Sequence, residues 1–446
     1  MNLLLRIAIM AKASYDRSYI RNISYVLYLS GFLDFFGVSM VVPLILPQAR
    51  ELGASSTFAG ILGSVYGGIQ LLSSPVIGKW SDHVSRRFSL MVCLFISSLG
   101  YASLGIYSSL AVLFLGRFVS GCFKHSQTIS KALIADIVAN DRLSAVLGNF
   151  NSFSSIGFVI GPIVGGHLAE SSGGFMLVAL VASSSFILNT GIIWWSIPKD
   201  TDLDLDHQNK LDVIEDSHIL INSDFDFSFK RFFKSFKEFD WTELWDLFLI
   251  KFLAGFSVII YRTNFTLVLK EKFDASPKTV GYMTSYSGVV ATLSGFVLGY
   301  ITKRFSNQAQ LFLTVTTLQV LTLMCLTMST SVIQLVVFLT PLSLVTCVSR
   351  VSSTTLTISR CGSSSVGSVM GLSQSVMAVA RMLAPFLAGV AQEFSVDGAE
   401  YISILAATAS VVLMLWRPQN PSHRNKKKTN GWCQHGKIRE SCTWSS

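Results

Sequence analysis

The sequence predicts an all-α membrane protein of twelve transmembrane helices arranged as two pseudo-symmetric six-helix halves. Three observations predict it. Apolar runs near bilayer length recur along nearly the whole chain. Basic residues gather in alternate loops. Residues of the first half reappear in the second at a nearly constant offset.

The apolar runs follow from composition. Of 446 residues, 50% are hydrophobic and 14% charged, against about 25% charged in a typical soluble domain. The mean hydropathy of +0.52 leaves more apolar surface than a soluble core could hide. Runs of roughly 20 apolar residues are what a helix needs to cross a bilayer. They fall near 23–45, 58–77, 88–107, 110–135, 145–168 and 174–197, and again near 243–268, 279–301, 309–329, 332–357, 365–391 and 399–416. Many are rich in Gly and Ser, which let membrane helices approach closely.

The loop charges give orientation. One side carries Arg6, Lys12, Arg17 and Arg21, then Lys79, Arg86, Arg87, Arg142, Lys303, Arg304 and Arg360. The opposite side carries Arg50, Lys270, Lys272 and Lys278 with the acids Glu170, Glu393, Asp397 and Glu400. The positive-inside rule then puts both termini in the cytoplasm, as an even number of crossings requires. The net charge of +9 is spent on these loops and tails, which argues against nucleic acid as a partner. The divisions expected are a cytoplasmic N-terminus (1–22), a first half (23–197), a central loop (198–240), a second half (241–416) and a disordered tail (417–446). Within the central loop Phe229, Phe232, Phe233 and Phe236 recur at helical spacing among bases, the pattern of a helix lying on the membrane surface.

The repeat sets the architecture. At an offset of 223, Gly148, Pro162 and Gly166 match Gly371, Pro385 and Gly389, and Ser130 and Leu133 match Ser353 and Leu356. Gly78 matches Gly299 at 221. Parallel duplication of six-helix halves places a binding site between the halves near the bilayer midplane. Pro162 and Pro385 each remove a backbone donor and are expected to kink their helices.

Other chemistry is sparse. Four of the seven cysteines (Cys93, Cys122, Cys325 and Cys347) fall in apolar runs and none suggests a disulfide framework. No metal-ligand spacing, nucleophile–base pair or phosphate-binding GxxxxGK[ST] loop is present, so neither an enzyme nor an ATP-driven pump is expected, and no cofactor is required. The short apolar run Leu3–Met10 lacks the length and cleavage site of a signal peptide.

The motifs resemble those of the major facilitator superfamily, in particular its drug:proton antiporter-like group. GKWSDHVSRR (78–87) resembles the loop joining the second and third spans, LGRFVSG (115–121) the arginine motif of the fourth, and GFVIGPIVGG (157–166) the antiporter signature of the fifth. The resemblance covers residues 22–416. In physical terms Gly78 permits a tight helix exit, Asp82 can cap a helix N-terminus, and Arg86 and Arg87 can pair with acids such as Asp136. In the family this loop latches the two halves, which would bring Asp82 near Ser363–Gly367. His83 and Ser85 depart from the family pattern. Gly157, Gly161, Pro162, Gly165 and Gly166 form the fifth-span motif, echoed by Pro385.

Charge inside the membrane costs roughly 2.5–3.5 kcal/mol on insertion scales, so such residues face a cavity or a partner. Asp34 lies halfway along the first span. Arg117, Lys124 and Lys131 follow one another at seven-residue spacing on the fourth and would share a face. Asp34 and Lys124 make a plausible midplane pair, with His125 beside them as a proton relay or a packing residue. Lys251 is expected at the same depth and Arg350 lower, with Arg262 toward the outer end and Arg381 on the eleventh span. One central carboxylate against several cations predicts a cavity for a small, anionic solute, with Asp34 carrying or gating a proton as the coupling ion. The resemblance implies a monomeric secondary active transporter using alternating access in the lipid bilayer. The alternative is a non-transporting receptor or scaffold of the same fold.

Overall fold

The computed structural model describes residues 2–106, 109–197, 241–305, 307–360 and 366–417, with side chains from Ile20 onward except at 140–141, 144, 241–244, 299, 303 and 360–371. The central-loop helix, the tail beyond Arg417 and the Ser363–Ser365 part of the expected latch lie outside this description.

Thirteen helices are present among the described residues. The first half comprises α1 (Asn2–Glu51), α2 (Ser56–His83), α3 (Arg86–Ile106), α4 (Leu110–Phe123), α5 (Ser126–Ile137), α6 (Asn140–Glu170) and α7 (Gly174–Ser196). The second comprises α8 (Trp241–Phe273), α9 (Pro277–Arg304), α10 (Gln308–Thr327), α11 (Val332–Arg360), α12 (Val366–Phe394) and α13 (Gly398–Trp416). Ten helical segments are each long and apolar enough to cross a bilayer. The other two passes are made by the broken pair α4–α5 and by α9, whose polar stretch YMTSYSG (282–288) dilutes its apolarity. Through Pro162 and Pro385, α6 and α12 each continue as one helix.

Each half buries its own core. Leu27, Met40, Leu94, Phe150 and Phe186 belong to a single apolar cluster of the first half. The second half splits into smaller clusters, around Leu269 and Leu323, around Phe312, and around Ile260 and Ala384. The halves meet along two seams, α2 against α12 and α6 against α9. We call the end carrying the turns 52–55, 171–173, 274–276 and 395–397 distal, and the end carrying 198–240 proximal.

The seams are built twice from the same parts. A Cβ on Gly60 would strike the carbonyl oxygen of Pro385 and lie 3.0 Å from Gly389 Cα. A Cβ on Gly281 would strike the carbonyl oxygen of Pro162 and lie 3.3 Å from Gly166 Cα. These are the same positions of the repeat, so backbone meets backbone at both seams through small residues. The ends are capped alike. Glu393 at the end of α12 accepts the Thr57 N–H of α2 at 3.1 Å, and Glu170 at the end of α6 accepts the Lys278 N–H of α9 at 3.2 Å. Both satisfy donors that a helix start leaves open, and both place an anion where the helix dipole favours one. Arg50–Glu271 at 2.9 Å and Lys270–Glu51 at 3.5 Å add ion pairs between α1 and α8. Tyr282 and His167 bond at 3.2 Å, and the Ser285 hydroxyl donates to the Val159 carbonyl.

All of these links lie in the distal half of their helices. Proximally, a Cβ added at Gly148 or Gly295 would meet nothing within 4 Å, and Leu72, Val76, Phe296 and Tyr300 are exposed. Among the described residues, the two halves are therefore clamped at the distal end and apart toward the proximal end.

Candidate functional site

The fourth pass does not run through as one helix. It breaks at Lys124 (φ −79°, ψ 60°) and His125, and α5 restarts at Ser126. No Gly or Pro marks the break, and its carbonyls are satisfied from α2. Gln70 donates to the Lys124 carbonyl at 3.1 Å, and Ser73 donates to the Gly121 carbonyl at 3.0 Å. Ser73 also lies 2.8 Å from His125 Nε2, which makes His125 a packed and hydrogen-bonded side chain of the break.

The break lets three of four successive positions converge on α1. Lys124 pairs with Asp34. The Ser126 hydroxyl donates to Asp34 Oδ1 at 2.6 Å, and Gln127 Nε2 donates to Oδ2 at 3.1 Å. Asp34 is 1% and Lys124 8% exposed. Lys124 also lies 4.4 Å from the centroid of the Phe186 ring, a cation–π contact. The predicted pairing of Asp34 with Lys124 is present, and Ser126, Gln127, Gln70 and Ser73 join it. A Ser-Gln pair two residues after a buried Lys is the signal that could have found Ser126 and Gln127.

The remaining central cations are a different population. Arg117 is buried beneath Tyr66, its guanidinium carbon 5.2 Å from the ring centroid, and its Nε has no hydrogen-bond partner. Across the seam the backbone oxygen of Arg381 would lie 3.0 Å from a Cβ at Gly67, beside Tyr66. In the second half Lys251 Nζ reaches Thr354 Oγ1 at 3.4 Å, and Thr354 in turn donates to the Arg350 carbonyl. Arg262 and Arg350, both exposed, lie close enough for their charges to repel. Among the described residues, none of Arg117, Lys251, Arg262, Arg350 and Arg381 forms an ion pair with an acid. Lys131 lies 5.8 Å from the Phe150 ring centroid. The depths of Lys251 and Arg350 are reversed relative to expectation. Because α8 runs on to Phe273, Lys251 sits nearer the proximal end, level with Thr354, and Arg350 is the more central.

The loop between α2 and α3 is partly as expected. Arg86 pairs with Asp82 and, at 2.9 Å, with Asp136, and donates to Ser81 Oγ at 2.7 Å. Three expectations are corrected. Among the described residues Arg87 bonds no carboxylate: it is buried and donates to the Trp194 carbonyl at the end of α7. Gly78 is no helix exit, because α2 continues to His83. Asp82 does not cap α3, because it remains inside α2 and Ser85 accepts the Phe88 N–H at 3.1 Å instead.

The glycines of the fifth-span motif have two packing roles. A Cβ on Gly157, Gly161 or Gly165 would collide with α1 backbone at Phe32, Phe36 and Met40, whereas Gly166 faces Pro277 of α9. The motif thus holds α6 against its own half on one face and against the other half on the next.

Comparison with known proteins agrees with this construction. The human protein Solute carrier family 67 member A1 is 25% identical over 418 residues, spanning 92% of this chain and 95% of that protein. Multidrug resistance protein 2 of Bacillus subtilis (strain 168) is 24% identical, over 86% of this chain and 93% of its own. Among solved structures, the nucleoside transporter NupG superposes with a TM-score of 0.72 at 13% identity over 88% of this chain and 98% of its own. The human organic anion transporter MFSD10 (TETRAN) superposes at 0.59, with 19% identity over 89% and 99%. An inward-facing, occupied bacterial homologue of the human lysosomal transporter Spinster gives 0.68, with 14% identity over 90% and 94%. The profile of the Major Facilitator Superfamily matches residues 27–244 and 247–442, one match to each half. By that match over both halves, the chain belongs to the major facilitator superfamily.

Proposed function

We propose that this member of the superfamily carries organic anions by alternating access, coupled to protons, with both termini in the cytoplasm. Secondary transport of a small solute across a lipid bilayer, without enzymatic chemistry, is the superfamily's common function. The anion and the proton are what these residues add. The observation that carries the reading is the set of five cations (Arg117, Lys251, Arg262, Arg350 and Arg381) with no acid partner among the described residues. Arg117 and Lys251 are buried, and buried cations without a counter-ion are costly; an anionic solute supplies the missing charge. That a relative of the same fold is an organic anion transporter is in keeping with this.

Asp34 supplies the coupling. Its carboxylate is fully engaged by Lys124, Ser126 and Gln127. A proton on Asp34 neutralises it and leaves the Lys124 ammonium without a counter-ion, so the anion becomes its replacement. Proton and anion then favour each other's binding, as linkage requires. Distal closure with proximal separation is the cytoplasm-facing state of this cycle. All the groups involved lie in one chain, in keeping with a monomeric carrier.

The test is uptake of a panel of labelled anions, cations and neutral solutes into proteoliposomes with and without a pH gradient. Acid-driven anion uptake is expected, abolished by Asp34→Asn and weakened by Arg350→Gln. Transport of cations or neutral solutes alone, with Lys124→Ala and Arg350→Ala leaving rates intact, overturns the anion reading.

A further inference from the structure

The start of α13 reads Asp397-Gly-Ala-Glu400. An acid at the N-cap followed three residues later by Glu is the spacing of a capping box, in which both side chains serve the helix's free N–H groups. Neither does so here. Asp397 makes no side-chain cap; its carboxylate turns to Lys272 Nζ at 2.9 Å, which also donates to the Thr327 carbonyl at 2.7 Å. Glu400 is 4% exposed, and its Oε2 has no hydrogen-bond partner. Tyr261 of α8 is 2% exposed, its hydroxyl is likewise without a partner, and it lies within electrostatic reach of Glu400.

A buried carboxyl group with an unpartnered oxygen is an expensive arrangement if it serves only structure. The groups facing it pull both ways. The helix N-terminus and Lys272 favour its anion; burial and the neighbouring charge of Asp397 favour its acid. Tyr261 approaches from α8 and Thr327 from α10. Lys272 and Asp397 are partly exposed, with side chains 23% and 26% accessible, and form the way out to solvent at the distal end.

We propose that Glu400 is a second proton-binding site, placed in the second half and addressed from the distal side. This rests on the proton-coupled reading above and extends it to a carboxyl that no motif marks. The site adjoins the distal clamp. Lys272 is the chain neighbour of Glu271, which bonds both Gln392 at 2.7 Å and Arg50 of the first half at 2.9 Å. A charge on Glu400 draws on the same lysine that holds Asp397, and so alters the end of α8 that carries the clamp.

The experiment is infrared difference spectroscopy of the purified full chain between acid and alkaline pH, alongside proteoliposome uptake. Glu400→Gln is expected to remove one protonated-carboxyl band that Asp34→Asn and Asp397→Asn retain, and to flatten the dependence of uptake on distal pH. Should Glu400→Gln fail to fold, Tyr261→Phe is expected to shift that band, because it removes the adjacent hydroxyl. Spectra unchanged by Glu400→Gln, or by Tyr261→Phe in its place, overturn the proposal. A Glu400 band in a wild-type protein whose uptake ignores pH upholds the site and removes the proton-coupled reading. Proton-driven uptake with no Glu400 band does the reverse.

Discussion

Arg50 and Glu271 occupy equivalent positions of the two halves, 221 residues apart (271 − 50), and bond to each other at 2.9 Å. In a duplicated structure a position meets its own equivalent only beside the axis relating the copies, so this pair marks where that axis emerges at the distal end. An ion pair this exposed contributes about 0.2–1 kcal/mol. Arg50→Glu replaces that attraction with like-charge repulsion, a change of about 1 kcal/mol or a factor of roughly five in population. Spin labels in the turns 52–55 and 274–276 are expected to show a wider distal end in Arg50→Glu and in Glu271→Arg. The double reversal is expected to restore the original distance. Identical distances in all four proteins would show that the pair does not hold the clamp.

The two glutamate caps act in parallel with that pair. Glu170 and Glu393 each hold one helix start of the opposite half, and removing either leaves that start's N–H without its acceptor. Either alanine substitution alone is expected to loosen the distal end modestly. The double substitution Glu170→Ala and Glu393→Ala is expected to add both losses, because the caps stand on separate seams without shared partners. The same spin-label distances read this out.

The glycine contacts set a harder limit. Gly60 and Gly281 face backbone atoms that cannot rotate aside. Gly281→Val forces the seam open, at a cost of about 1–3 kcal/mol or more. Each half keeps its own core, so folding is expected to survive, with unchanged thermal unfolding. Uptake is expected to fall by about tenfold or more, since two to three kcal/mol is enough to depopulate the clamped state. Loss of folding instead would mean that the seam is part of each half's stability.

Much of this was legible in the sequence, and the exceptions have physical causes. The 223-residue offset of Pro162 and Gly166 predicted two equivalent halves, and those residues line equivalent seams. Their partners Gly60 and Gly281 were invisible, because glycine is common in membrane helices and only the docked halves show which ones touch. Glu170 and Glu393 were read as loop charges; they too stand 223 apart, and that match was the available clue. Asp34 and Lys124 could be paired by depth alone. The break that aims Lys124 could not be read, because Ser73 and Gln70 satisfy it from another helix and no local residue demands it. Arg87 looked like a second copy of Arg86, yet one step along α3 turns it into the bundle, where the Trp194 carbonyl receives it. Gly78 suggested a turn only because the polar residues after it hid the last turn and a half of α2.

The buried pair separates stability from transport. Asp34→Asn leaves the Lys124 ammonium buried with only Ser126 and the amide as polar neighbours, and breaking a buried pair from one side costs about 3–5 kcal/mol. Lys124→Met leaves the Asp34 carboxylate with two donors, Ser126 and Gln127, so a smaller loss is expected. Replacing both charges at once, as Asp34→Asn with Lys124→Met, removes the uncompensated charge, and such replacements are often neutral. Thermal unfolding in detergent is therefore expected to be lowest for Asp34→Asn, intermediate for Lys124→Met and near wild type for the double variant. Proton-driven uptake is expected to be lost in all three. Recovery of uptake together with stability in the double variant would make the pair a structural brace, and would move the coupling proton elsewhere in the chain.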